Sequence, residues 1–166
     1  MQIEIVSGSP RNGSITHRLA LHLQGLFADK TEHQAGILDV REYPLPLLQK
    51  VFTTVDDAPP ELKPLAERMF AAEGFIIVTP EYNGSYSPAM QNMFDYFPKQ
   101  HRKPFGLVTA SPGALGGIRA AMQLQQFTMA LFGIPSPYML VTPHVEKKFD
   151  VEGNLIDPSF QKSIDT

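Results

Sequence analysis

With 166 residues, no cysteine, 43% hydrophobic and 19% charged side chains, the chain reads as one ordinary globular domain, residues 1–166. The lack of cysteine excludes disulfides, thiol redox chemistry and thiolate metal sites, and a net charge of −3 gives no basic surplus for nucleic acid. The opening residues MQIEIVSGSP have neither the charged start nor the apolar run of a signal peptide, so the expected location is the cytoplasm.

The first apolar run, Ile3–Val6, predicts a buried strand. A turn-rich cluster, SGSPRNGS, follows it, and then Ile15, Leu19, Leu23 and Leu26 recur at helical spacing. Gly36–Val40 is the second expected strand. A long connection, Tyr43 to Pro60, carries Pro44, Pro46, Pro59 and Pro60. Leu62, Leu65, Ala66 and Met69 mark a helix within Pro60–Ala72, and Gly74–Thr79 is the third strand. Ser87-Pro88 starts a third helix whose apolar face is Met90, Met93, Phe94 and Phe97. Phe105–Thr109 is the fourth strand. A fourth helix is expected from about Gly117 to Phe132, with Gly133 as its C-cap. Pro137–Val141 is the fifth strand, Glu146–Ile156 a polar hairpin turning at Gly153-Asn154, and a last short helix begins near Pro158.

No Asp, Glu, Lys or Arg occurs from Ala120 to Val145, but QLQQ and GIPSPY break that stretch into pieces too short and polar to span a bilayer. The Asn-Gly-Ser triplets at Asn12 and Asn83 match the glycosylation pattern and read better as glycine turns. Strand and helix alternating about five times implies an α/β fold, a parallel sheet with helices on both faces. Ligands of such sheets bind beyond the carboxyl ends of the strands, where strand order reverses. The loops there read SGSPRNGS, TPEYNGSYSP and TASPGALGG.

Two phosphate motifs fail against the first loop. Gly8 and Gly13 have P-loop separation, but Ser14 and Ile15 stand where Lys and Ser/Thr belong, and Pro10 breaks the dinucleotide fingerprint. What remains is a hydroxyl-rich form of the same physics. Ser9, Ser14 and Thr16 surround a helix start with free N–H groups, and Arg11 adds one full positive charge. Such a site suits the terminal phosphate of a mononucleotide; the plainer reading is that Ser9 and Ser14 only cap the helix. The second loop offers Pro80, Glu81, Tyr82 and Asn83 to a planar ligand, and the third offers Ser111 with Gly113, Gly116 and Gly117. Glu81 has no carboxylate partner at a recognisable spacing. His17 and His22, five apart on a helix, diverge by about 140° and cannot share a metal. His33, His101 and His144 are isolated, and every histidine is expected at the surface or a rim. G-x-S-x-G is absent, so no nucleophile elbow is supported.

Taken together, GSPRNGS, TPEYNGSYSP and SPGALGGIRA resemble the NAD(P)H-dependent FMN reductase family, the flavodoxin-like branch with quinone, azo-dye and chromate reductases. LDVREYPLPLL after the second strand is similar to the family as well. The resemblance covers Ile3 to about Val141 and implies a flavodoxin-like three-layer sandwich, its five-stranded parallel sheet in the order 2-1-3-4-5. It implies FMN as cofactor and NAD(P)H as co-substrate. By position, Ser9, Arg11, Ser14 and Thr16 would hold the FMN phosphate. Pro80, Glu81, Tyr82 and Asn83 would line the isoalloxazine, with Gly84 and Ser85 closing the turn, and Ser111, Gly113, Gly116 and Gly117 would approach its other side. The chain departs from the family at Thr16, where Asn is usual, and in MQNMFDYF, where Gln91 and Tyr96 replace Lys and Trp.

The function implied is ping-pong electron transfer from NAD(P)H through flavin to a small acceptor such as a quinone, free flavin, azo compound or metal oxyanion. The flavin carries the chemistry and no catalytic amino acid is assigned. The alternatives are a flavodoxin-like FMN electron carrier and a flavin-binding regulatory protein. A second apolar stripe on the fourth helix, Ile118, Met122 and Met129, beside the first stripe of Ala120, Leu124, Phe127 and Leu131, predicts a homodimer or tetramer unless the carboxyl-terminal segment covers it.

Overall fold

The computed structural model describes residues 1–166. Five strands, β1 Gln2–Ser7, β2 Gln34–Asp39, β3 Gly74–Pro80, β4 Pro104–Ser111 and β5 Ile134–Pro143, form one sheet in the order β2-β1-β3-β4-β5. Every pairing is parallel. The chain turns outward from β1 in both directions, so strand order reverses between β1 and β3, the switch point of a flavodoxin-like sheet.

Strand faces alternate as a parallel sheet covered on both sides requires. Val6, Phe75, Ile77, Phe105 and Leu107 join α2 (Lys63–Ala71), α3 (Pro88–Asp95) and α4 (Ile118–Ala130) in the larger core cluster. Ile5, Val78, Val108, Ala110 and Leu140 join α1 (Ile15–Lys30) in the smaller one. Val145, Phe149 and Phe160 of the carboxyl-terminal segment pack into that second cluster, on the α1 side. The segment ends in a tight turn at Pro158–Phe160 and α5 (Gln161–Ile164). It therefore leaves the outer stripe of α4 uncovered: Ile118, Met122 and Met129 are 37%, 52% and 56% exposed, whereas Ala120, Leu124, Phe127 and Leu131 are buried.

Most element ends shift by one or two residues from the sequence expectation, and three of the differences have a physical cause. Strand β5 runs past Pro137–Val141 at both ends because it is an edge strand, where the missing N–H groups of Pro135, Pro137 and Pro143 leave little of the ladder unmade. It bulges, so that Phe105 to Leu107 on β4 faces Pro135 to Met139. Helix α4 stops at Ala130, and Phe132, not Gly133, takes the left-handed position at φ 58. Phe132 N donates to Met129 O (2.9 Å) and Gly133 N to Thr128 O (3.0 Å), a Schellman ending. Gly133 is needed for space: a Cβ there would come within 2.5 Å of the Phe105 ring. The expected helix over Pro60–Ala72 opens with a 3-10 turn at Pro60–Leu62 before α2 begins. No helix is long and apolar enough to cross a membrane.

Candidate active site

The three turn-rich loops leave the carboxyl ends of β1, β3 and β4, side by side at the switch point. In the first, Gly8 N donates to Val78 O (2.8 Å), which fixes the loop against β3. Gly13 turns the chain at φ 64 into Ser14, the residue before α1. Ser14 makes no side-chain capping bond, contrary to the plainer reading. Ser9, Ser14 and Thr16 are instead 0%, 8% and 1% exposed, and none of their hydroxyls has a hydrogen-bond partner in the protein. From Arg11 to Ser14 no backbone N–H donates to another backbone group. Buried hydroxyls left unpaired each cost about 1–3 kcal/mol. Three of them, gathered at one helix N-terminus with free N–H groups, form a cradle for a bound anion. Arg11 is exposed and lays its guanidinium 5.6 Å over the ring of Tyr82.

The second loop is a type I′ turn. Tyr82 N donates to Ser85 O (2.8 Å) and Ser85 N to Tyr82 O (3.1 Å), with Asn83 and Gly84 at φ 51 and 83. Asn-Gly is the pair that this turn favours, since both positions need positive φ. Pro80 is buried and ends β3. The Tyr82 hydroxyl is buried without a partner. Glu81 bends away from the turn: its Oε2 accepts from Arg119 N (3.2 Å) and Ala120 N (3.4 Å) at the start of α4, and its Oε1 pairs with Arg119 (3.3 Å).

In the third loop, Ser111 Oγ accepts from Gly113 N (3.0 Å), a local turn bond. Gly116 and Gly117 take φ 60 and 87 and press on the sheet. A Cβ on Gly116 would meet Pro143 N at 2.7 Å, and one on Gly117 would meet Thr109 at 3.0 Å.

A cleft of about 220 Å³ opens between the loops, lined by Arg11, Ile15, Thr16, Pro80, Glu81, Tyr82, Ala110, Ser111 and Pro112. That is less than the space usually needed to enclose a small ligand, so the cleft fits one end of a ligand whose remainder lies outside. Ser9 and Ser14, the turn residues Asn83, Gly84 and Ser85, and the glycines Gly113, Gly116 and Gly117 stand outside this lining. Ile15, Ala110 and Pro112 complete the lining; as apolar residues at element ends they carry no polar signal in the sequence.

Two of the histidines are partly buried and hydrogen-bonded. His17 Nδ1 lies 2.9 Å from Ser7 Oγ and 3.3 Å from Asp39 Oδ2, beneath the first loop. Burial lowers its pKa against the opposing pull of Asp39. Burial pushes Asp39 up, but hydrogen bonds from Arg41 outweigh it and hold the carboxyl below its ordinary value. His22 is half-buried against Phe149 and bonds the Gly153 carbonyl. Asn92 on α3 gives no signal in the sequence either. Its amide donates to Leu45 O (3.3 Å) and Pro46 O (2.8 Å) and accepts from Leu48 N (3.2 Å). It thus pins the proline strap after β2. This strap borders a second groove of about 500 Å³, across Pro10 and Asn12 from the cleft.

The family model described as NADPH-dependent FMN reductase matches residues 1–146. The chain belongs to that family. It is 32% identical to an FMN-dependent NADPH-azoreductase of Staphylococcus haemolyticus over 83% of this chain and 74% of that one. It is 28% identical to a probable NADPH:quinone oxidoreductase of Oryza sativa subsp. japonica over 99% of this chain and 83% of that one. In fold it is similar to a flavoenzyme NAD(P)H:(acceptor) oxidoreductase of Paracoccus denitrificans, with a TM-score of 0.75 at 22% identity over 97% and 89% of the two chains. The protein is therefore an oxidoreductase with FMN as cofactor and NAD(P)H as co-substrate, and the pure electron-carrier reading is not favoured. The buried hydroxyls of Ser9, Ser14 and Thr16 fit the phosphate of FMN, and the small cleft beside them fits the adjoining part of the molecule.

Proposed function

We propose that the chain is a single FMN-binding domain reducing a small acceptor, of the quinone, free flavin, azo or metal-oxyanion class, at the expense of NAD(P)H. The observation that carries the reading is the set of unpaired buried hydroxyls at the start of α1. Ser9, Ser14 and Thr16 donate to the phosphate together with the N–H groups of the first loop, and Arg11 adds its charge. Pro80 to Asn83 line the isoalloxazine, Gly84 and Ser85 hold that turn, and Ser111, Gly113, Gly116 and Gly117 shape the opposite wall. Bound FMN supplies the two-electron relay between the substrates. No side chain acts as nucleophile; the protein orients, excludes water and presents N–H groups to developing negative charge. NAD(P)H and acceptor would use the same open face of the flavin in turn, which makes the kinetics ping-pong. The exposed stripe on α4 supports a homodimer, or a tetramer built from it. The cytoplasm is the proposed location.

Protein loaded with FMN and freed of excess cofactor is yellow, bleaches under NADH or NADPH when oxygen is excluded, and consumes the nucleotide in air. Failure to take up FMN overturns the reading, and a preparation that stays yellow restores the carrier. Intersecting double-reciprocal lines with varied NAD(P)H and acceptor overturn the shared-face mechanism.

A further inference from the structure

Glu81 joins the second loop to the start of α4, 38 residues further along the sequence. Glu81 is among the residues lining the cleft, its side chain is only 16% exposed, and its carboxylate is turned from the second loop onto the start of α4. A carboxylate in a flavin cleft opposes reduction, since hydride transfer from NAD(P)H leaves the bound flavin one negative charge richer and releases NAD(P)+ as the oxidised product. Here that charge is met from one side by three donors. Two are the N–H groups of Arg119 and Ala120, at the positive end of the α4 dipole. The third is the Arg119 guanidinium, held beside Gly84 of the turn, where a Cβ would stand 3.6 Å from Arg119 Cδ.

We infer that the Glu81–Arg119 pair tunes the reduction potential of the bound flavin, with Glu81 lowering it and Arg119 as the charge-compensating residue that holds Glu81 in place. The inference rests on the proposed placement of FMN in the cleft. Glu81 fixes the orientation of the turn toward α4 and keeps a negative charge in the wall. Arg119, 65% exposed, stands at the solvent side and offsets that charge. Arg119 therefore affects the electronics of the site rather than the grip on phosphate, which belongs to the first loop.

The test measures, for the FMN-loaded protein, the flavin reduction potential and the separate affinities for oxidised and reduced FMN. In Arg119→Ala the potential falls, and reduced FMN loses affinity relative to oxidised FMN by roughly two- to fivefold, the range open to an ion pair this exposed. Arg119→Lys keeps the charge and stays near the parent value. Glu81→Gln raises the potential, and the double variant Glu81→Gln/Arg119→Ala, which removes both opposite charges together, returns toward the parent value. An unchanged potential in Arg119→Ala or in Glu81→Gln, or a fall as large in Arg119→Lys as in Arg119→Ala, overturns the inference. Loss of oxidised-FMN binding by the parent chain itself would instead overturn the cofactor placement on which it rests.

Discussion

Arg11 rests its guanidinium 5.6 Å above the ring centre of Tyr82, so the single cation of the first loop lies across the cleft mouth and not on the three hydroxyls. An exposed cation–π contact is worth about 0.5–1 kcal/mol. A hydrogen bond to a charged phosphate is worth about 1.5–3 kcal/mol. The phosphate contact is the stronger, so on the proposed placement of FMN Arg11 should leave Tyr82 for it. Arg11→Ala should therefore weaken FMN binding roughly tenfold, the difference between the two contacts. Fluorescence titration with FMN measures it; unchanged affinity means that the phosphate sits elsewhere.

Thr16 gives a sharper test, because its effects on the free and the loaded protein have opposite signs. Its hydroxyl is buried and unpaired in the protein alone. Thr16→Val removes that unsatisfied group at nearly constant shape and should stabilise the FMN-free protein by about 1 kcal/mol or more. The same change should weaken FMN binding. Thermal melts with and without FMN show both effects. A lower melting temperature without FMN, together with unchanged affinity, would make Thr16 an ordinary core residue.

The sheet was legible in the sequence because its signal is local: each strand is a short apolar run, and each helix has a single buried stripe. The grouping of Ser9, Ser14 and Thr16 about the start of α1 was legible for the same reason, since they lie within eight consecutive residues. What the sequence hides is pairing over distance. Glu81 shows no local partner, yet it caps a helix 38 residues away. Asn92 holds a strap 44 to 47 residues before it. Gly116 and Gly117 read in the sequence as close approach to a ligand, whereas tight packing on Pro143 and Thr109 also explains their lack of a side chain. The ends of β5 were missed because prolines argue against a strand until its edge position is known.

Acid should loosen the α1 face before the rest. The ordinary histidine value is 6.5, and burial lowers both His17 and His22 from it, against the opposing pulls of Asp39 and the Gly153 carbonyl. His22 Nδ1 donates to Gly153 O (3.0 Å), while its Nε2 is buried without a partner. Below 6.5 the unfolded chain binds protons that the folded chain resists. The contribution to stability is thus full above that value and is lost as pH falls toward the folded pKa. His22→Gln keeps a donor for Gly153 and does not titrate. It should flatten the decline in unfolding free energy between about pH 7 and 5. Denaturant melts across that range measure the slope, and an identical slope in the variant rules His22 out as a source.

The outer stripe of α4 makes the last prediction. Ile118, Met122 and Met129 stay exposed because the carboxyl-terminal segment packs on the opposite face of the sheet, with α1. Leu115, at 59% exposure, extends the stripe toward the third loop. Burying such a face against its own copy removes apolar area from water at about 25 cal/mol per Å². A stable interface needs roughly 800 Å² from each partner, more than these four side chains supply, so α4 must be the centre of a wider contact. Met122→Glu/Met129→Glu places two like charges at that centre and should shift the mass seen by light scattering from dimer or tetramer to monomer. The first loop is untouched by the change, and FMN uptake through its hydroxyls should persist in part. A parent chain that is already monomeric, or a double variant that keeps the parent mass, removes α4 as the interface.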